Sequence, residues 1–184
     1  MLGRLLDLFK KEEQKLSLVE LQQKHGFKTD KNTTHSYLPI YDELFSKFKN
    51  PSILEIGCGM GESLRLWRKY FPKSIIHGID IVQPKFKNNP FKNDPKTQIF
   101  VADSNHWIPP IKYDIIIDDG SHVYRDQVTA YHRFFEKYCK SLYIIEDVQD
   151  TVALRNLISM NPSRVEDLRE VKGQYDDILV VFEK

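Results

Sequence analysis

Two short stretches concentrate chemistry in this 184-residue chain. The first is Ile115-Ile116-Ile117-Asp118-Asp119-Gly120-Ser121-His122, an apolar run that ends in two acids, a turn and a histidine. The second is Ile144-Ile145-Glu146-Asp147. If the two runs are neighbouring strands, four carboxylates and one imidazole share a crevice. Clustered carboxylates repel one another unless a counter-charge joins them. All-oxygen donors suit a hard divalent ion such as magnesium, with water and substrate oxygens filling the other positions. An ion that also takes a hydroxyl acidifies it, and a nearby His122 can accept the proton. Simpler duties exist for single acids. Asp147 or Asp150 can cap the next helix, and Asp119, Gly120 and Ser121 can form a tight capping turn. Capping explains neither Glu146 nor the histidine.

A third stretch points to a ligand. Ile53-Leu54-Glu55-Ile56-Gly57-Cys58-Gly59-Met60-Gly61 reads as a buried strand, a glycine turn and the start of a helix. Glycines at alternate positions let the backbone turn sharply and lie against a bound molecule. A second apolar run ends in Gly78-Ile79-Asp80, where a doubly wound sheet places the carboxylate that grips a ribose. The dinucleotide fingerprint is Gly-x-Gly-x-x-Gly. This chain has Gly57-x-Gly59-x-Gly61 instead, with Glu62 at the fingerprint's third glycine. Glu55, just ahead of the turn, suits a cationic methionine moiety better than a pyrophosphate. Both details favour S-adenosylmethionine over NAD. Asp103, at the end of the third expected strand, is placed to face an adenine edge. No sequence feature activates Cys58 as a nucleophile.

These residues need a sheet to position them. Strands are expected at 52–56, 74–79, 97–101, 113–118 and 141–146, alternating with helices at 61–70, 124–138 and 150–160. That alternation implies a parallel sheet with right-handed crossovers. The uninterrupted apolar runs 115–117 and 142–145 fit strands covered on both faces. Two last strands, about 163–171 and 177–183, are joined too closely for a parallel crossover, so at least one is antiparallel. Ile40 to Phe48 reads as a helix stopped by Pro51. Residues 2–25 carry an apolar stripe of Leu2, Leu5, Leu6, Phe9, Leu16 and Val19, as in a helix packed on the domain or on a second subunit. Mixed charge at Lys10-Lys11-Glu12-Glu13 argues against a membrane-surface helix. Residues 82–96, with four lysines and one aspartate, read as a solvated loop or as a substrate or partner contact.

Composition narrows the function classes. Lys plus Arg is 27 and Asp plus Glu is 26, for a net charge of +1, which offers no general argument for nucleic-acid binding. No apolar run reaches the ~18–20 residues of a membrane span. The charged start, Met1 to Asp7, does not read as a signal peptide. Two cysteines form no disulfide framework, and the expected location is the reducing cytoplasm.

In chain order, Asp30-Lys31-x-x-x-His35-x-Tyr37, Leu54-Glu55-Ile56-Gly57, Gly78-Ile79-Asp80, Asp118-Asp119-Gly120-Ser121-His122 and Ile145-Glu146-Asp147 form a set. Over residues 29–150 this set resembles the class I S-adenosylmethionine-dependent O-methyltransferases related to macrolide-sugar enzymes of the mycinamicin and macrocin type. The resemblance implies an α/β fold, a Rossmann-like, mostly parallel seven-stranded sheet with an antiparallel final strand and helices on both faces. That domain would span 29–184, behind an N-terminal amphipathic helix over 1–28. It also implies magnesium-dependent methylation of a sugar hydroxyl in a glycan, nucleotide sugar or glycosylated metabolite. The chain is shorter than the antibiotic-tailoring members, so a simpler sugar than a macrolide's is expected.

By the same resemblance Asp119, Glu146 and Asp147 are metal ligands and His122 is the general base, with Asp119 beside it in the catalytic pair. Glu55 and the Gly57, Cys58, Gly59 and Gly61 turn would meet the methionine part, and Asp80 the ribose. Ser63, Ile81, Asp103 and Asp118 complete the cofactor contacts, and His35 and Tyr37 close the site. The expected partner is a small molecule or glycan, with no nucleic acid and no membrane span, and with self-association possible through the N-terminal helix. Three rivals are a catechol-type O-methyltransferase, an NAD-dependent oxidoreductase and a non-catalytic ligand-binding module on the same scaffold.

Overall fold

The computed structural model describes residues 16–149 and 151–184, so the stripe from Leu2 to Phe9 and Asp150 lie outside the described residues. Helix α1 (Leu18–His25) opens on a capping box between Ser17 and Glu20 and closes on Gly26 in the left-handed conformation. A single turn, α2 (Asp30–Thr33), is capped by the Thr29 hydroxyl, which accepts from Lys31 N. Pro39 starts α3 (Leu38–Ser46), where its missing N–H costs no helical bond.

Five strands then run parallel: β1 (Ile53–Ile56), β2 (Ile76–Asp80), β3 (Thr97–Val101), β4 (Tyr113–Asp118) and β5 (Cys139–Ile145). Helix α4 (Glu62–Tyr70) follows β1, α5 (Tyr124–Tyr138) follows β4, and α6 (Thr151–Ser159) follows β5. The sheet has seven strands in the order β3-β2-β1-β4-β5-β7-β6. β7 (Ile178–Glu183) is antiparallel to both its neighbours, β5 and β6 (Arg164–Asp167). β6 is shorter than the expected 163–171 strand. Asp167 accepts from Arg169 N and pairs with its guanidinium at 2.6 Å. That local pair turns the edge strand into α7 (Arg169–Lys172).

Helices α1, α3 and α4 cover one face, packing Leu18, Phe45, Leu64 and Trp67 on Ile53, Ile115, Ile117 and Ile144. The other face packs Phe134 and Tyr138 of α5 and Leu157 of α6 on Leu54, Ile116 and Tyr143. Alternate residues of β4 therefore feed opposite cores, as strand geometry requires. The segment 82–96 folds back on this body. Phe91 approaches Gly61 at the start of α4, and Asp94 pairs with Arg68 at 2.7 Å.

Strand order reverses at β1, which pairs with β2 on one side and β4 on the other. Open α/β sheets form their ligand crevice at the carboxyl ends of such strands. Here the register Ile56↔Asp118 and Asp118↔Ile145 sets Gly57, Asp119 and Glu146 side by side, one step past three adjacent strand ends.

Candidate active site

The turn after β1 is tight because it touches the turn after β4. Gly57 has φ 81°, and a Cβ there would stand 1.9 Å from the Asp119 carbonyl oxygen. Asp119 N donates to Ile56 O at 2.9 Å, which locks the two turns together. Asp80, at the end of β2, accepts from Gly59 N and from Val82 N, each at 2.8 Å.

Between these turns and α5 lies a cavity of about 450 Å³, within the range of small-molecule sites. Its walls include Gly57, Asp80, Ile81, Asp103 and Asp118. Ser104, Asn105, Gln127 and Ala130 also line it, and sequence reasoning does not single them out. Glu55, Cys58, Gly59, Gly61, Ser63, His35 and Tyr37 do not line this cavity. Glu55 is turned into the protein, where Ser63 Oγ and Trp67 Nε1 each donate to it at 2.6 Å. Cys58 is buried, and burial pushes its thiol well up, so it is no nucleophile.

Beside the cavity the acids converge. Donor atoms of Asp119, His122 and Asp147 lie within 4.8 Å of one another. His122 Nε2 is 3.1 Å from Asp119 Oδ1, and its Nδ1 is 3.5 Å from Asp147 Oδ2. His122 and Asp147 both have left-handed backbones, at φ 57° and 54°, which is costly for side-chain-bearing residues and common at functional turns. Two carboxylates and an imidazole are a donor set that fits a divalent cation.

Glu146 stands apart from that trio. It is 1% exposed; Lys31 Nζ donates to its Oε2 at 2.8 Å and the Tyr41 hydroxyl to its Oε1. Its backbone carbonyl accepts from Gln127 Nε2 at 2.9 Å, which ties α5 to the end of β5. Lys31 also donates to Asp119 Oδ2 at 2.6 Å and lies 3.6 Å from Glu55 Oε1.

Sequence reasoning misses Lys31, Tyr41, Trp67 and Asp177. Only Lys31 left a signal, inside the motif Asp30-Lys31-x-x-x-His35-x-Tyr37. That motif does not reach the cavity. Tyr37 OH donates to Asp147 Oδ1 at 2.6 Å, His35 stacks on Tyr37 at 4.9 Å, and Ser36 N donates to Asp177 Oδ1 at 3.1 Å.

The charges pull one another apart. Burial pushes Asp119 up, but Lys31 and the His122 hydrogen bond outweigh it and hold the carboxyl below its usual value. The same hydrogen bond, with Asp147 adding to it, raises His122 to about 9. Burial raises Asp118 to about 7 and pushes Asp147 and Glu146 up as well. Burial opposes charge on Lys31, yet Asp119, Glu146 and Glu55 together keep it firmly protonated.

No family model matches the chain. It is 34% identical over 149 residues to the 8-demethyl-8-alpha-L-rhamnosyl tetracenomycin-C 2'-O-methyltransferase of Streptomyces olivaceus, a match covering 72% of this chain and 38% of that protein. Identity to the demethylmacrocin O-methyltransferase of Streptomyces fradiae is 31%, over 62% of this chain and 32% of that protein. The chain thus spans less than two-fifths of these curated relatives. Among solved structures, it superposes on the mycinamycin-pathway methyltransferase MycE, solved in complex with Mg and SAH, with a TM-score of 0.58 and 25% identity. That superposition covers 92% of this chain and 49% of MycE.

Proposed function

We propose, for a chain related in sequence to antibiotic-sugar O-methyltransferases and built on their Rossmann-like fold, that it is a magnesium-dependent methyltransferase of a sugar hydroxyl. The observation that carries this reading is the adjacency of the cavity to the Asp119–His122–Asp147 cluster. A nucleoside pocket and a proton-handling acidic pocket share one sheet edge.

S-adenosylmethionine would lie in the cavity, with Asp80 at its ribose and Asp103, Ser104 and Asn105 around its base. When bound, it supplies a methyl group on a sulfonium, and the divalent ion supplies Lewis acidity for a hydroxyl. Asp119 and Asp147 would hold the ion, with Glu146 as the third carboxylate. With Asp119 and Asp147 committed to the ion, the hold that keeps His122 protonated in the metal-free site would be relieved, and a ring nitrogen would accept the hydroxyl proton; an unactivated sugar hydroxyl is a weak enough acid to need such a base. Glu55 would set the floor under the glycine turn rather than grip the ligand. The relatives are named for sugars on antibiotics, and a carbohydrate acceptor is the reading we adopt over a catechol.

The test is calorimetric titration of S-adenosylmethionine and its demethylated product into metal-free protein, then again with magnesium, on the natural chain and on Asp119→Asn. The expected result is cofactor binding by both and magnesium binding only by the natural chain. Absence of cofactor binding overturns the reading. Undiminished magnesium binding by Asp119→Asn removes Asp119 from the ligand set. A panel of glycosides and catechols then separates sugar from phenol acceptors.

A further inference from the structure

The buried ammonium of Lys31 is the least expected group in the molecule. Its residue is 1% exposed, and long cationic side chains are almost never so buried unless paired. Its nitrogen is held by Asp119 Oδ2 at 2.6 Å and Glu146 Oε2 at 2.8 Å, with Glu55 Oε1 at 3.6 Å. Three acids from the ends of three adjacent strands thus surround one positive charge. That is the arrangement they would offer a metal ion, and the ligand is a side chain of the same polypeptide.

We propose that Lys31 is a positioning residue that acts as an internal cation, competing with the divalent ion for Asp119 and Glu146 and so setting how tightly the site binds it. Without an ion, the ammonium keeps the two carboxylates assembled rather than splayed by repulsion. Asp119 Oδ1 stays turned to His122 because Oδ2 is taken. For Glu146 to become an ion ligand, its Oε2 must leave Lys31. Each unit of positive charge near the site weakens cation binding, and inside a protein that effect is large. The site is thereby kept orderly but weak in affinity, so that the ion exchanges rather than locking in place.

The position of Lys31 also depends on its own segment. Thr29 caps α2 through Lys31 N, and Lys172 Nζ donates to the carbonyls of Asn32 and His35. The ammonium is therefore delivered by a fastened turn.

The inference rests on the proposed ion site in taking Asp119 and Glu146 as ligands. Its test is binding of manganese alone, followed by electron paramagnetic resonance on metal-free protein, without cofactor or substrate. Lys31→Met keeps the stem and deletes the charge. We expect it to bind manganese at least about tenfold more tightly than the natural chain. Equal or weaker binding overturns the proposal, because a merely structural lysine would leave affinity unchanged or lower it. The same comparison within a Glu146→Gln background removes one buried acid and protects folding if Lys31→Met alone is unstable; the same direction is expected there. Binding by Lys31→Met but not by the natural chain would keep Lys31 as the occupant and overturn the metal-dependent reading. No binding by any variant overturns both.

Discussion

At the scale of single residues, the site is a set of opposed titrations. Asp119 is held low against its burial by Lys31 and by its hydrogen bond to His122, and the same bond holds His122 high. The imidazole is flanked on both ring nitrogens, by Asp119 and Asp147, on a left-handed backbone. If it is the base, His122→Ala should lower turnover by about 10²–10⁴-fold while leaving S-adenosylmethionine affinity within about twofold. Single-turnover methyl transfer and calorimetry read the two quantities separately. Unchanged turnover would remove His122 from the chemistry.

At the scale of elements, two contacts matter, one at the crevice and one at the opposite, amino-terminal end of the sheet. The first is the touch between the β1 and β4 turns. Gly57→Ala would place a methyl group into the Asp119 carbonyl on a left-handed backbone, and should cost at least about 2 kcal/mol. Cofactor binding should be lost before the sheet melts, which thermal unfolding with and without S-adenosylmethionine would show. A ligand-induced rise in Tm equal to that of the natural chain would contradict it. The second is His77 of β2, buried with its Nδ1 2.7 Å from the Tyr113 hydroxyl on β4. Burial lowers its pKa below 6.5. A histidine lowered on folding contributes stability that is full above its unfolded value of about 6.5 and is lost as pH falls through the lower folded value. His77→Gln should flatten that acid limb in a Tm–pH series, and an unchanged limb would place the sensitivity elsewhere.

At the scale of the whole molecule, the two ends of the described chain meet over the site. Asp176 and Asp177, just before β7, bind Tyr37 and Ser36, and Lys172 of α7 binds the carbonyls of Asn32 and His35. The segment that carries Lys31 and Tyr37 is thus fastened from the far edge of the sheet. Lys172→Met should speed hydrogen exchange across 30–37 by about tenfold or more while leaving β1, β4 and β5 protected. Uniform protection in both proteins would show that the fastening adds nothing. No helix among the described residues is long and apolar enough to cross a membrane.

Period and punctuation in the sequence determine much of this protein. The apolar runs around Ile115–Ile117 and Leu142–Ile145 mark covered parallel strands, and the short return at 172–176 marks the antiparallel one, because these signals are local. The same locality reveals Gly57, Asp80, Asp119, His122 and Asp147, each at a strand end. What lies beyond a strand end is decided in three dimensions. Glu55 sits in a ligand-facing pattern, yet Trp67, from the middle of α4, and Ser63 take its oxygens. Glu146 belongs to an acidic motif, yet Tyr41 and Lys31, more than a hundred residues earlier, hold it. No spacing rule encodes such partners, because they meet only when α2 and α3 dock on the sheet and bury charges that must then find one another.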